Sequence, residues 1–302
     1  MKKFLFIVHI YYKEQIKELS SLISNLCLEE DEYDIYITST NETVLGDELN
    51  IIFHNAVIIR CKNIGYDLWP FFYVLKNVDI ADYCYLVKVH TKRNLGYKIV
   101  HIDKKFYFWG WQWKRLLLSF LSRNNFNKSI RAFENDPNLG MVNSYILIDK
   151  CFSDEEQFHF KYCFDKVNLI LEKLGFNSQD PIRYIAGTMF ICRADLFCPL
   201  KNLDYTESDF NNVDRNNEND LPHVLERLFG AVITAQGFKI EDPYTSFLSK
   251  IFLFFISSFI WITTHRYIRK ISRFLFRIDH DKSNCKKIVK VFKIKILELK
   301  CK

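Results

Sequence analysis

Phe4-Leu5-Phe6-Ile7-Val8 is a continuous apolar run of strand length, and the segments after it decide the fold. Ile16, Leu19, Ile23 and Leu26 recur at helical spacing, after which Tyr33 to Thr38 and Val57-Ile58-Ile59 read as two further strands. A strand that is apolar at every position is buried on both faces, the habit of parallel sheets covered by helices. The alternation therefore predicts an α/β fold with a mostly parallel central sheet. A fourth strand is expected at Tyr83 to His90, after a helix through Leu68 to Lys76.

Further along, Phe106, Tyr107, Phe108, Trp109, Trp111 and Trp113 crowd together ahead of a helix expected from about Lys114 to Ser122. Core packing is the plain reading of that cluster. A helix near Lys128 to Glu134 stops at Asn135-Asp136-Pro137. A short strand at Gly140 to Val142, a helix around Phe164 to Leu174, a strand at Tyr184 to Cys192 and a helix at Leu221 to Phe229 complete the body. No internal repeat is visible.

The 302 residues are 49% hydrophobic and 16% aromatic, with nine Gly and six Pro, which excludes disordered and low-complexity classes and leaves room for a sizeable core. The nine cysteines are scattered and form no C-x-x-C pair, and Met1-Lys2-Lys3 leads into a run too short for a secretory signal. The expectation is a reduced, cytoplasmic protein. The net charge of +6 is unevenly spread: residues 250 to 302 carry 14 Lys and Arg against 3 Asp and Glu, leaving 28 against 33 before them. A mildly acidic body with a strongly basic tail argues against a nucleic-acid groove and for a tail that meets an anionic surface.

That tail is expected from residue 246, after a domain spanning 1–245. Ile251 to Ile262 is nearly all apolar but, at about 12 residues, short of the roughly 20 a membrane span needs. Arg266, Lys270, Arg273 and Arg277 then fall three or four apart, with Ile260, Tyr267, Ile271, Phe274 and Ile278 on the facing stripe. The spacing predicts a basic amphipathic helix lying on an anionic membrane surface. Residues 286 to 302 fit either helix or strand.

Ligands of open α/β sheets bind at the carboxyl ends of the strands. Each predicted strand ends in polar residues: His9 after the first, Thr38-Ser39-Thr40-Asn41 after the second, Asn63-Ile64-Gly65-Tyr66-Asp67 after the third and His90-Thr91-Lys92 after the fourth. Asp67 reads plainly as the cap of the helix that begins at Leu68. Period-two geometry places Lys88, His90 and Lys92 on one side of their strand, where His90 and Lys92 can meet a phosphate or a sugar. The only Asp-x-Asp, Asp279-His280-Asp281, lies in the tail and reads as a solvated turn, so no metal and no other cofactor is expected. In the later half, Gly187 interrupts an apolar strand and lets a ligand approach beside Thr188. Glu218 and Asp220 precede a helix on which His223, Glu226 and Arg227 lie within about one turn.

These residues sit in motifs that resemble a known family. Val8-His9-Ile10-Tyr11-Tyr12, Asn63-Ile64-Gly65-Tyr66-Asp67, Val89-His90-Thr91-Lys92, Asn138-Leu139-Gly140-Met141-Val142, Ala186-Gly187-Thr188-Met189-Phe190 and His223-Val224-Leu225-Glu226-Arg227-Leu228-Phe229-Gly230 occur in the order seen in the rhamnan synthesis F proteins. The resemblance spans roughly residues 4 to 240, with departures at Tyr66 and at the bulky Trp69 and Phe71-Phe72.

It implies a GT-A-like transferase that moves L-rhamnose from dTDP-rhamnose to a lipid-linked glycan at the inner face of the cytoplasmic membrane, with inversion. On that reading Glu218 or Asp220 is the base, assisted by His223. His9, Thr38, Asn63, Gly65, Asp67, His90, Lys92 and Arg227 face the nucleotide-sugar donor, and Gly187, Thr188 and Glu226 face the acceptor. A non-catalytic carbohydrate-binding or scaffold protein is the rival reading, and a nucleic-acid binder is disfavoured by the wide apolar stripe between the tail's basic residues.

Overall fold

β1 (Lys2–Ile10) pairs in parallel with β2 (Tyr33–Ser39) on one side and with the later strand Tyr83–His90 on the other. Phe4, Leu5, Phe6, Ile7 and Val8 are each at most 2% exposed. Successive strand residues point to opposite faces, so both faces of the sheet are covered. This view comes from a computed structural model that describes residues 2–29, 32–40, 49, 51–53, 55–102, 106–144, 146–149, 158–211, 220–245, 255–256, 276–281, 286–291 and 294–300.

In chain order the body runs β1, α1 (Ile16–Ser24), β2, β3 (Val57–Arg60), α2 (Leu68–Asn77) and β4 (Tyr83–His90), then the hairpin β5 (Ile99–Ile102) and β6 (Phe106–Trp109). α3 (Gly110–Leu117), α4 (Arg123–Asn135), β7 (Leu139–Val142), β8 (Ile146–Asp149), α5 (Phe158–Lys173), β9 (Ile182–Ile185), β10 (Phe190–Arg193), α6 (Leu221–Ala235) and β11 (Lys239–Glu241) come next. The main sheet has seven strands in the order β11-β7-β10-β4-β1-β2-β3. β10 runs antiparallel to β4 and β7, while the other strands share the direction of β1. The carboxyl ends of β1, β2, β3, β4 and β7 and the amino end of β10 therefore lie along one edge.

The core is largely aromatic. Phe71, Phe190, Phe197 and Phe229 approach one another at centroid distances of 5.3 to 6.1 Å, and Phe4, Tyr85, Phe126 and Phe133 form a second group at 5.1 to 5.6 Å. Most of these pairs are tilted or edge-on, arrangements the ring quadrupole favours, and Phe4 and Tyr85 are stacked.

The chain divides into two compact units. One comprises Met1–Asn94 and Trp111–Thr245, and the other Leu95–Gly110 and Ser246–Lys302. The first holds the seven-stranded sheet and the β8–β9 pair. The second holds the β5–β6 hairpin and an antiparallel sheet of β12 (Phe276–Asp281), β13 (Lys286–Val291) and β14 (Ile294–Lys300). Among the described residues no helix is long and apolar enough to cross a membrane.

Four sequence expectations need correction. The single strand at Tyr184 to Cys192 is two strands in different sheets, because Gly187 (φ +80) and Thr188 (φ +54) turn the chain through the left-handed region. The helix expected at Lys114 begins at Gly110 and gives way to a 3₁₀ turn at Ser119–Leu121. The expected amphipathic tail helix does not reach Arg277 and Ile278, which lie on β12; residues 257–275 of it are outside the described residues. Asp279-His280-Asp281 is the end of that same strand rather than a turn, with Asp281 opposite Lys286.

α6 lies directly against β9 at Gly230, where an added Cβ would overlap the Arg183 carbonyl oxygen and stand 2.6 Å from the Tyr184 Cα. Backbone cannot give way as a side-chain tip can. Gly230→Ala is expected to lower unfolding free energy by about 2 kcal/mol or more, read as a shifted denaturant midpoint.

Candidate functional site

The strand-end edge is closed by hydrogen bonds between the segments that follow β1 and β4. The backbone N–H groups of Tyr11 and Tyr12 donate to Thr91 Oγ1 at 2.9 and 3.1 Å, and the Gln15 amide bonds both the backbone N–H and the carbonyl of Lys92. His9, at the end of β1, is 6% exposed, and its Nδ1 lies 3.0 Å from the Oγ1 of the fully buried Thr38. Thr38 donates its own hydroxyl proton to the Val8 carbonyl, so Nδ1–H of His9 is the donor toward Thr38. Burial lowers the His9 ring to about 3 against the pull of Asp67, so the ring is neutral at pH 7.

Asp67 stands at the cap position of α2 but makes no capping hydrogen bond. Its carboxylate instead forms an ion pair with the ammonium of Lys88, which is 2% exposed, and accepts the Thr188 hydroxyl at 2.7 Å. Lys88 also donates to the Thr188 carbonyl and hydroxyl, each at 3.0 Å, and lies 5.2 Å from the centroid of the Phe71 ring. Burial alone would raise Asp67, yet His90, Lys88 and two side-chain hydrogen bonds hold it well below the usual carboxylate range. Burial pushes Lys88 and His90 down, and the Asp67 charge resists both shifts.

His90 completes the cluster, with Nε2 3.0 Å from the Gly187 carbonyl, Nδ1 3.0 Å from the Thr91 carbonyl and Asp67 Oδ1 at 3.8 Å. The Gly187 N–H donates to Glu226 Oε1 of α6 at 2.6 Å. The Gly187-Thr188 turn is thus held by a loop, a strand and a helix at once. Asn143, at the end of β7, adds a fourth hold: its amide donates to the Met189 carbonyl while its Oδ1 accepts the Tyr244 hydroxyl at 2.9 Å.

Beside this network, at the ends of β2 and β3, opens a cleft of about 780 Å³. Arg60, Lys62, Asn63, Trp69, Tyr73 and Glu207 line it. Lys62 and Glu207 form an ion pair of 2.5 Å, with side chains 73% and 39% exposed. Gly65, at φ +60, lets the loop after β3 pass Phe210, whose Cβ would stand 2.9 Å from any added Cβ.

The structure therefore brings His9, Thr38, Asp67, His90, Gly187, Thr188 and Glu226 into one buried edge, with Lys92 half-buried at its rim. Asn63 lines the cleft instead. Asp220 is the residue before α6 and makes no capping bond, and Glu218 lies outside the described residues. Arg227 is 4% exposed, stacked 5.0 Å from the Tyr184 ring centroid and bonded to the His223 carbonyl. No three His, Cys, Asp or Glu side chains among the described residues are placed to hold a metal, and the carboxylate of Asp67 is already neutralised by Lys88. Sequence reasoning put Lys88 on the right face but missed its counter-ion. It missed Gln15 and the cleft, whose Glu207 is too far along the chain for any local pattern to reveal.

The fold defines a mostly parallel α/β protein whose strand ends carry a buried polar cluster with an open cleft beside it. Residues 1–238 match the family described as rhamnan synthesis protein F, and the chain belongs to that family. Among solved structures the chain is similar to a cytidylyltransferase from Leptospira borgpetersenii serovar Hardjo-bovis (strain JB197). The identity is 10%, covering 80% of this chain and 76% of that one, with a TM-score of 0.37. No curated protein matches.

Asp67→Asn leaves the Lys88 ammonium buried without its counter-charge and is expected to cost about 3–5 kcal/mol of stability at pH 7. Acid should weaken the wild type by a defined route. His9 and Asp67 both have depressed folded values, so the unfolded chain binds more protons. Stability falls as pH drops from the ordinary imidazole value of 6.5 toward about 3, and further once carboxylates protonate below about 4. Denaturant unfolding at a series of pH values reads both effects.

Proposed function

We propose that the chain is a glycosyltransferase that moves L-rhamnose, or a related deoxysugar, from a dTDP-sugar onto a growing lipid-linked cell-surface polysaccharide. The observation that carries this reading is the convergence of four parallel strand ends and α6 on one polar edge, in a chain of the rhamnan synthesis protein F family. Parallel sheets bind their ligands on that edge.

The reaction asks little of the protein beyond placement and charge. The acceptor hydroxyl oxygen attacks the anomeric carbon from the face opposite the nucleotide, and the bond from that carbon to the diphosphate oxygen breaks with its electron pair going to the diphosphate. Asp220 or Glu218 takes the hydroxyl proton. Support for Asp220 is its half-buried position ahead of α6, on the helix that also sends Glu226 to the Gly187-Thr188 turn. Positive side chains along the strand-end edge, with Lys92 at its rim, offset the negative charge that develops as the diphosphate leaves. The turn acts through shape: its polar groups are engaged by Lys88, His90, Asp67 and Glu226, so it fixes where the acceptor can lie without reaching for it.

The basic residues from 250 onward fit attachment of the protein to an anionic membrane, each Lys or Arg near the surface contributing about 1 kcal/mol. The acceptor, being lipid-linked, would meet the site there.

A screen of dTDP-, UDP- and GDP-sugars with a short soluble acceptor tests the reaction. Transfer from a dTDP-deoxysugar is expected, and either Asp220→Asn or Glu218→Gln should lower kcat on the order of a hundredfold while donor binding stays intact. Normal turnover in both variants would remove the base from this segment.

A further inference from the structure

We propose that the nucleoside diphosphate of the donor sits in the cleft at the ends of β2 and β3, and not on the buried cluster at the ends of β1 and β4 where the sequence motifs point. The proposal rests on the transferase reading above and specifies where its donor binds.

The motif residues of the buried cluster have little left to offer a ligand. His9 and His90 are 6% and 5% exposed, Thr38 is fully buried, and both nitrogens of His90 lie against carbonyl oxygens. Asp67 is neutralised inside the protein by Lys88. A phosphate could reach these groups only by breaking a buried ion pair and the turn it holds, and a broken buried pair leaves an uncompensated charge.

The cleft has the opposite character. The side chains of Arg60 and Asn63 form no hydrogen bond or ion pair with a described residue, and both are exposed at its wall. Trp69 and Tyr73, four apart on α2, meet edge to face at 6.2 Å, and Phe210 backs the Trp69 ring at 5.5 Å. A rigid aromatic wall accepts the flat face of a nucleobase, and a guanidinium fits a diphosphate in bidentate fashion. Among the described residues Lys62 pairs with Glu207, and exposed pairs of this kind contribute little, so its ammonium can turn to a phosphate. A volume of about 780 Å³ falls within the range of small-molecule sites. The cleft shares the strand-end edge with the Asp67 network through the loop of residues 61–67, so a base held here leaves the sugar free to point along that edge.

Calorimetric titration of the full chain with dTDP and with thymidine tests the placement. Arg60→Gln should weaken dTDP on the order of tenfold and leave thymidine unchanged, since only the diphosphate meets the guanidinium. Trp69→Ala should weaken both ligands by about tenfold, with Trp69→Phe restoring most of the loss. Glu207→Gln removes a competing anion and should tighten dTDP. Should Trp69→Ala fail to fold, Tyr73→Ala, at a residue 41% exposed, reads the same wall. If the wild type binds dTDP and every variant binds it equally, the nucleotide lies elsewhere and the transferase reading stands. If the wild type binds neither dTDP nor any nucleotide sugar, the transferase reading itself falls, and this placement with it.

Discussion

A lysine ammonium cannot remain charged inside an apolar sheet without a counter-charge, and Lys88 obtains one from a residue that reads as an ordinary helix cap. The Asp67–Lys88 pair therefore does more than neutralise. It ties the loop after β3 to the centre of β4, and through the Thr188 hydroxyl it ties both to the turn that begins β10. Three chain segments more than a hundred residues apart at their extremes are fixed relative to one another by one carboxylate. The left-handed Gly187-Thr188 turn persists because His90 and Glu226 add holds from two further elements.

This saturation divides the strand-end edge into two kinds of surface. Around Asp67 the polar groups answer one another and the side chains are buried, which gives rigidity. Around Arg60 and Trp69 polar and aromatic groups line an open cleft. Sites that must hold a reacting geometry are well served by such a division, because the first surface keeps the second from moving.

Much of the sheet was legible because its signals are local. The run Phe4 to Val8 and the strand Tyr83 to His90 are buried on both faces and so lack polar interruptions, and Ile16, Leu19 and Ile23 mark the buried stripe of α1. The break between β9 and β10 was not legible, since Ile185 to Cys192 is apolar enough for one strand and the turn is imposed by Lys88, His90 and Glu226 from elsewhere. β8 gave no separate signal, being four residues long. In the tail, basic and apolar residues mix so densely that spacings of three and four and spacings of two both find support, and from Phe276 onward the pairing with β13 decides for strand. The role of Asp67 had the right residue and the wrong plain reading, because a cap and a counter-ion look alike until the partner is seen.

The second unit is discontinuous, and that has a consequence for how the protein is made. Leu95–Gly110 leaves the ribosome about 135 residues before Ser246 does, so at roughly 5–20 residues per second its completing segment arrives on the order of ten seconds later. During that interval Trp111–Thr245, more than half of the first unit, is still being made, while the aromatic β5–β6 hairpin waits without the rest of its unit. The order of synthesis thus gives the nascent chain a period in which the aromatic hairpin has emerged while the segment from Ser246, which belongs to the same unit, is still to be made.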